Sequence, residues 1–158
     1  MKILAAIILS IGLAFATEVY FSPGGGCTEA AVREINKAEK QIAFEAYNFT
    51  SPEILNALQQ AVQRGVRVRA IYDRSQRDDT KTLADELAGS GVGRNYGSQK
   101  IMHDKVLIID QATVVTGSFN FTTNAERFNA ENMVVIHDAK VAAQYLANFE
   151  QLLQEGTK

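Results

Sequence analysis

Two hydrophobic periodicities take turns along this chain from residue 17 onward. Glu18-Val-Tyr-Phe-Ser22 alternates as a strand does and closes on the loop Pro23-Gly-Gly-Gly26. Ala31, Ile35 and Ala38 then recur at helical spacing, predicting a helix capped by Thr28 and running to about Lys40. Gln41 to Phe49 reads as a second strand. Ser51-Pro52-Glu53 is a strong helix start, a capping serine with proline at the first helical position. That helix turns Ile54, Leu55, Leu58, Ala61 and Val62 inward and stops at Gly65. Val66 to Asp73 alternates valine with arginine as a third strand.

The second half continues the alternation. Thr82 to Ala88 reads as a short helix ended by Gly89-Ser-Gly91, and Lys100 to Ile109 as a strand. Gln111-Ala112 turns into a hairpin partner, Thr113 to Phe119. Ala130 to Ile136 is the last strand, and Asp138 caps a final amphipathic helix from Ala139 to about Gln154. Strands alternating with helices predict an α/β fold, and the hairpin makes the sheet mixed, with helices packed on both faces. No long linker, low-complexity tract or internal repeat interrupts the pattern, so residues 17–158 read as one domain.

Residues 1–16 follow a different pattern. Lys2 precedes an apolar run from Ile3 to Phe15, which ends in the small-x-small sequence Ala14-Phe15-Ala16. The run is shorter than the roughly 20 residues a membrane span needs. It has the form of a cleavable secretory signal, which predicts a periplasmic or secreted protein without stable membrane association after cleavage. Removal of residues 1–16, whose only charge is Lys2, would leave 142 residues and move the formal net charge from −2 to −3. An acidic balance excludes a broadly basic nucleic-acid coat, so any polyanion must meet a local patch. Cys27 is the sole cysteine, which excludes an intrachain disulfide and leaves a free thiol or an intermolecular bridge.

The chemistry concentrates in one segment, Lys100-Ile-Met-His-Asp-Lys-Val-Leu-Ile-Ile-Asp110, followed by Ser118-Phe-Asn120. On a continuous strand His103 and Lys105 share one face, while Asp110 has the opposite parity. Asp110 is therefore expected to end the strand and support the turn rather than join the chemistry. Ser118 and Asn120 share a face on the neighbouring strand, and Glu131 opens the last strand. With two histidines and one cysteine there is no zinc-type cluster, and no metal or other cofactor is called for.

His103-x-Lys105-x4-Asp110, Gly117-Ser118-x-Asn120 and Glu131 together resemble the signature of the phospholipase D superfamily. Tyr20-Phe-Ser-Pro, Ala46-Tyr-Asn-Phe-Thr-Ser-Pro and Val115-x-Gly-Ser-Phe-Asn-Phe-Thr122 extend the likeness over most of residues 17–158. With one motif copy and a secretory start, the chain is most similar to the small bacterial Nuc-type endonucleases of that superfamily. It departs from them in its acidic charge and in Asp104, a carboxylate between the two motif residues.

The resemblance implies His103 as a nucleophile forming a phosphohistidine, with Glu131 orienting its ring. It implies Lys105, Ser118 and Asn120 as the groups that bind the phosphate oxygens. A single motif implies half a site, completed by a second copy in a homodimer. The activity so implied is metal-independent endonucleolytic hydrolysis of DNA, with RNA an open alternative, at low sequence specificity. Phospholipase D action on lipid head groups is the competing activity, because it uses the same core. A binding module with a decayed site is disfavoured, since every expected residue type is present.

Weaker features have blander explanations. Gly24-Gly-Gly26 lacks the lysine of a phosphate loop and reads as a connector. Asp78-Asp79 reads as a solvated pair, His137 as structural or solvent-facing, and Phe119 and Phe121 as core. Arg64, Arg67, Arg69, Arg74 and Arg77 form the one basic concentration, either as solubilising charge or as contacts to nucleic-acid phosphates.

Overall fold

A computed structural model describes residues 17–156; the secretory signal expected over residues 1–16 lies outside them. Seven strands form one mixed sheet: β1 Thr17–Ser22, β2 Gln41–Ala46, β3 Arg67–Tyr72, β4 Arg94–Tyr96, β5 Lys105–Ile109, β6 Thr113–Gly117 and β7 Glu131–His137. Their order across the sheet is β1-β7-β6-β5-β2-β3-β4. β2, β3 and β4 run parallel, while the β2–β5, β5–β6, β6–β7 and β7–β1 pairs are antiparallel. The helices are α1 Cys27–Lys37, α2 Pro52–Gln63, α3 Ala84–Ala88, α4 Thr123–Arg127 and α5 Ala139–Glu155.

Helices cover both faces, as the alternation requires. The larger core joins Ala31 and Ile35 of α1 and Ile54 and Leu58 of α2 to Ile42, Phe44, Val68, Leu107 and Val115 of the sheet. The smaller core lies on the opposite face, where Ala142 and Phe149 of α5 meet Ala43, Ile71, Val106, Ile108 and Val114. All six residues of β2 are buried, because this central strand is covered on both sides.

Several boundaries differ from those expected, each for a local reason. α1 is capped by Gly26 in the left-handed conformation (φ 78°), not by Thr28. The Glu126 side chain, from α4, accepts the amides of Gly26 and Thr28 instead. α1 also ends at Lys37, since the amides of Glu39, Lys40 and Gln41 turn to the carboxylate of Asp110. Cys27 is fully buried, with its thiol pushed up to about 11 chiefly by burial and then by Glu126, so an intermolecular bridge is ruled out by access. The expected Ser51 and Asp138 caps form, accepting from Ile54 and from Lys140 and Val141. Three short elements carry too little periodicity to read from sequence: a 3₁₀ turn at Arg74–Arg77, β4, and α4 with its Thr122 cap.

Candidate active site

One end of the sheet collects the motif residues. β2 ends where β5 begins, with Ala46 opposite Lys105, and β3 and β4 end alongside at Tyr72 and Tyr96. β6 ends at Gly117, while β7 starts at Glu131 opposite Ser22 of β1. Asp110 closes β5 at the other end, where it accepts three backbone amides at 2.8 Å. Burial pushes its carboxyl up, but the amides of Gln41, Glu39 and Lys40 outweigh that and hold it below the usual carboxylate range. It thus stands apart from His103, stapling the α1–β2 connection and not merely the Gln111 turn.

The strand carrying the motif is shorter than its hydrophobic pattern suggests. β5 begins at Lys105, so residues 100–104 approach it as irregular chain and strand parity does not align His103 with Lys105. What aligns them is Tyr47. Its ring lies 4.4 Å from the exposed His103 imidazole and 4.8 Å from the Lys105 ammonium. The Tyr47 amide also donates to the Asp104 carbonyl (3.1 Å), and the Lys105 ammonium donates to the His103 carbonyl. Lys105 is 4 % exposed, and burial lowers its pKa against the opposing pull of Asp104 and Glu131. Tyr47 belongs to the segment Ala46-Tyr-Asn-Phe-Thr-Ser-Pro52, but nothing in the sequence ties its ring to the histidine.

The remaining candidates sit on the β6–β7 side. β6 stops at Gly117 (φ 151°), where a Cβ would come within 2.3 Å of the Asn132 carbonyl oxygen. Ser118 and Asn120 therefore lie beyond the strand, and their roles cannot rest on a shared strand face. Ser118 donates to the Glu131 carboxylate (2.6 Å) and accepts from the Asn132 amide (3.0 Å). Asn129 donates to the other Glu131 oxygen (3.0 Å). Asn120 turns into a hollow of about 340 Å³ that it shares with Asn48, Thr50 and Lys81. Among the described residues its side-chain oxygen is buried without a hydrogen-bond partner, a shortage for which a catalytic or ligand-binding role is one explanation. Phe119 and Phe121 are core, as expected.

Metal-ligating types gather elsewhere. Glu18, Glu34 and His137 bring ligand atoms within 4.8 Å of one another, far from Lys105 at the other end of the sheet. Arg33 and Lys37 already engage both carboxylates, at 2.9 and 2.8 Å, and Thr113 engages His137. This reads as an ion-pair network, and His137 is structural.

Residues 31–153 match the family model described as cardiolipin synthase, PLD-like domain. The chain belongs to the phospholipase D superfamily. Within it, the chain superposes on the crystal structure of Nuc from Salmonella typhimurium with a TM-score of 0.86. The two are 36 % identical, and the match covers 91 % of this chain and 97 % of Nuc. A protein named phospholipase D from Rickettsia prowazekii is 42 % identical over 130 residues, covering 82 % of this chain and 63 % of the relative. Mitochondrial cardiolipin hydrolase of Xenopus tropicalis is 32 % identical over 120 residues, covering 75 % and 57 %. The chain thus spans less than two thirds of these two superfamily relatives but nearly all of Nuc. The mixed seven-stranded sheet is the superfamily fold seen in Nuc.

Proposed function

We propose that this chain is a metal-independent endonuclease that hydrolyses phosphodiester bonds of DNA, with RNA an open alternative, in a site shared by two protomers. The observation that carries the reading is the convergence of exposed His103 and buried Lys105 on Tyr47, at the sheet end that also presents Ser118, Asn120 and Glu131. His103 attacks phosphorus, forming an N–P bond as the P–O bond to the leaving group breaks. Lys105 and Asn120 stabilise the charge on the non-bridging oxygens, and Ser118 adds a hydrogen bond there once its hydroxyl turns from Glu131 to the phosphate. Glu131 orients the imidazole. The leaving oxygen takes its proton from the His103 of a second copy, and that histidine then draws a proton from the water that cleaves the phosphohistidine. Asp110 supports the scaffold.

Apolar side chains at the same end support a protein contact there. Phe21, Ile101 and Phe128 are 63, 56 and 74 % exposed, and each lies within three residues of Ser22, His103 or Glu131. A two-fold axis through this end would cover them and bring two His103 side chains together. The same side chains, with the names of the relatives, favour a second reading, hydrolysis of phospholipid head groups. For residues 1–16 the proposal is a cleaved signal and export to the periplasm or medium, tested by the N-terminus of the mature protein.

Plasmid DNA and phosphatidylcholine vesicles, each with excess chelator, separate the readings. Nicking and linearisation of the plasmid, lost in His103→Ala, is the expected result. Vesicle turnover alone favours the lipase, and wild-type rates in His103→Ala refute both. Specific activity should also fall on dilution as protomers separate; full activity from a monomer at nanomolar concentration refutes the shared site.

A further inference from the structure

The arginines beside the motif have a built setting that the reaction above does not use. Two hollows, of about 610 and 360 Å³, flank Arg77. Arg94, Asn95 and Tyr96 line the first; Arg74, Asp78 and Ser98 line the second. A third, holding Asn120 and Lys81, follows at Asp79, the next residue along. The first two hollows share Arg77, and the third adjoins the second in sequence, through Asp78 and Asp79.

The 3₁₀ turn bearing Arg74 and Arg77 is anchored to the catalytic segments at two points. The buried Asp73 carboxylate accepts from the Ser75 amide (2.9 Å) and hydroxyl (2.6 Å) and from the amide of Met102, the residue before His103 (2.7 Å). Gln76 is 1 % exposed. It donates to Asn48 (2.9 Å), the neighbour of Tyr47, and accepts from Thr82 (2.6 Å). Arg77 lies over the Tyr96 ring at 4.8 Å, which limits its conformational freedom. Arg94 pairs with Asp85 at 2.5 Å, and both side chains are about half exposed or more, so a phosphate can compete for the arginine at little cost. Of the carboxylates along the path, Asp79 is turned to the Lys81 amide (2.9 Å).

We infer that Arg74, Arg77 and Arg94 form a phosphate-binding wall that holds the backbone of a single nucleic-acid strand beyond the bond being cut. This rests on the nuclease reading and sharpens it: a lone phosphodiester fills the catalytic edge, whereas only a substrate with successive phosphates reaches the wall. Fixing the arginines relative to His103 through Asp73 and Gln76 sets the distance between scissile and held phosphates. It also reconciles phosphate binding with an acidic chain, since the positive charge is local.

The test compares wild type with the triple variant Arg74→Ala/Arg77→Ala/Arg94→Ala on two substrates, a 30-nucleotide single-stranded DNA and bis(p-nitrophenyl) phosphate. The preference for the oligonucleotide, as a ratio of kcat/KM values, should fall by about tenfold or more. The log–log salt dependence of oligonucleotide binding, read by anisotropy in a His103→Ala background, should become shallower by roughly 0.7 per arginine lost. An unchanged ratio, from equal losses or from none, would overturn the wall, as would an unchanged salt slope. Loss confined to turnover of phosphatidylglycerol vesicles would also overturn it, placing the arginines at a lipid surface. The anisotropy arm needs no cleavage, so failure of the wall is distinguishable from failure of the nuclease reading.

Discussion

Glu45 should make the protein less stable as the solution turns alkaline. It lies on β2 between Phe44 and Ala46, 1 % exposed, and neither carboxyl oxygen has a hydrogen-bond partner among the described residues. It shares its face with Ala43 and stands opposite Ile71 and Val106, in the smaller core under α5. Burial, then the nearby Asp104, push its carboxyl up to about 8. The folded chain therefore keeps a proton that the unfolded chain releases near pH 4.5. Across that window the unfolded state binds fewer protons, so stability falls as pH rises, by about 1.4 kcal/mol per pH unit. The full loss by pH 8 reaches about 5 kcal/mol, a large part of an ordinary domain's 5–15 kcal/mol. Glu45→Gln keeps the shape and the shortage of partners but cannot ionise. Urea unfolding of both proteins at one protomer concentration, from pH 5 to 8.5, should show them close at the acid end. The variant should gain steadily above pH 5 and level off beyond about 8. Parallel stability curves would refute a proton on Glu45.

Two further perturbations probe the scaffold and the site. Asp110→Ala removes the acceptor of three amides and should cost about 3 kcal/mol in urea unfolding at pH 7. Because the folded pKa of Asp110 is lowered, that contribution is present above the unfolded value and lost as pH falls through the folded one. The gap between wild type and variant should therefore narrow in acid, and a constant gap down to pH 2 would contradict it. Tyr47→Ala withdraws the ring against which His103 and Lys105 rest, and should lower kcat about tenfold more than it raises KM. Tyr47→Phe keeps the ring and should restore kcat to within about twofold; equal losses in both variants would deny the ring its positioning role.

How much was legible in advance varies by element. The helices that bury a regular stripe and carry a side-chain cap, α2 behind Ser51 and α5 behind Asp138, were readable almost to the residue. The 3₁₀ turn, β4 and α4 were not. They span three to five residues, too few for a period, and they exist because Asp73, the β3 edge and Thr122 hold them. The motif strand is shorter than its pattern predicts for a related reason. Residues 100–104 carry the apolar Ile101 and Met102, yet the Met102 amide goes to Asp73 rather than to a neighbouring strand.

By itself the sequence determined the fold class, the chemistry-bearing residue types and the superfamily, because periodicity and short motifs are local properties of the chain. Tertiary structure alone decided what those residues meet. Tyr47 joins His103 to Lys105, Glu126 caps a helix about a hundred residues earlier, and Asp110 staples β2 from the far end of β5. Glu45 gives the sharpest case. The strand pattern of Gln41 to Phe49 does not say which way Glu45 faces, and only a sheet covered on both sides makes it a buried acid.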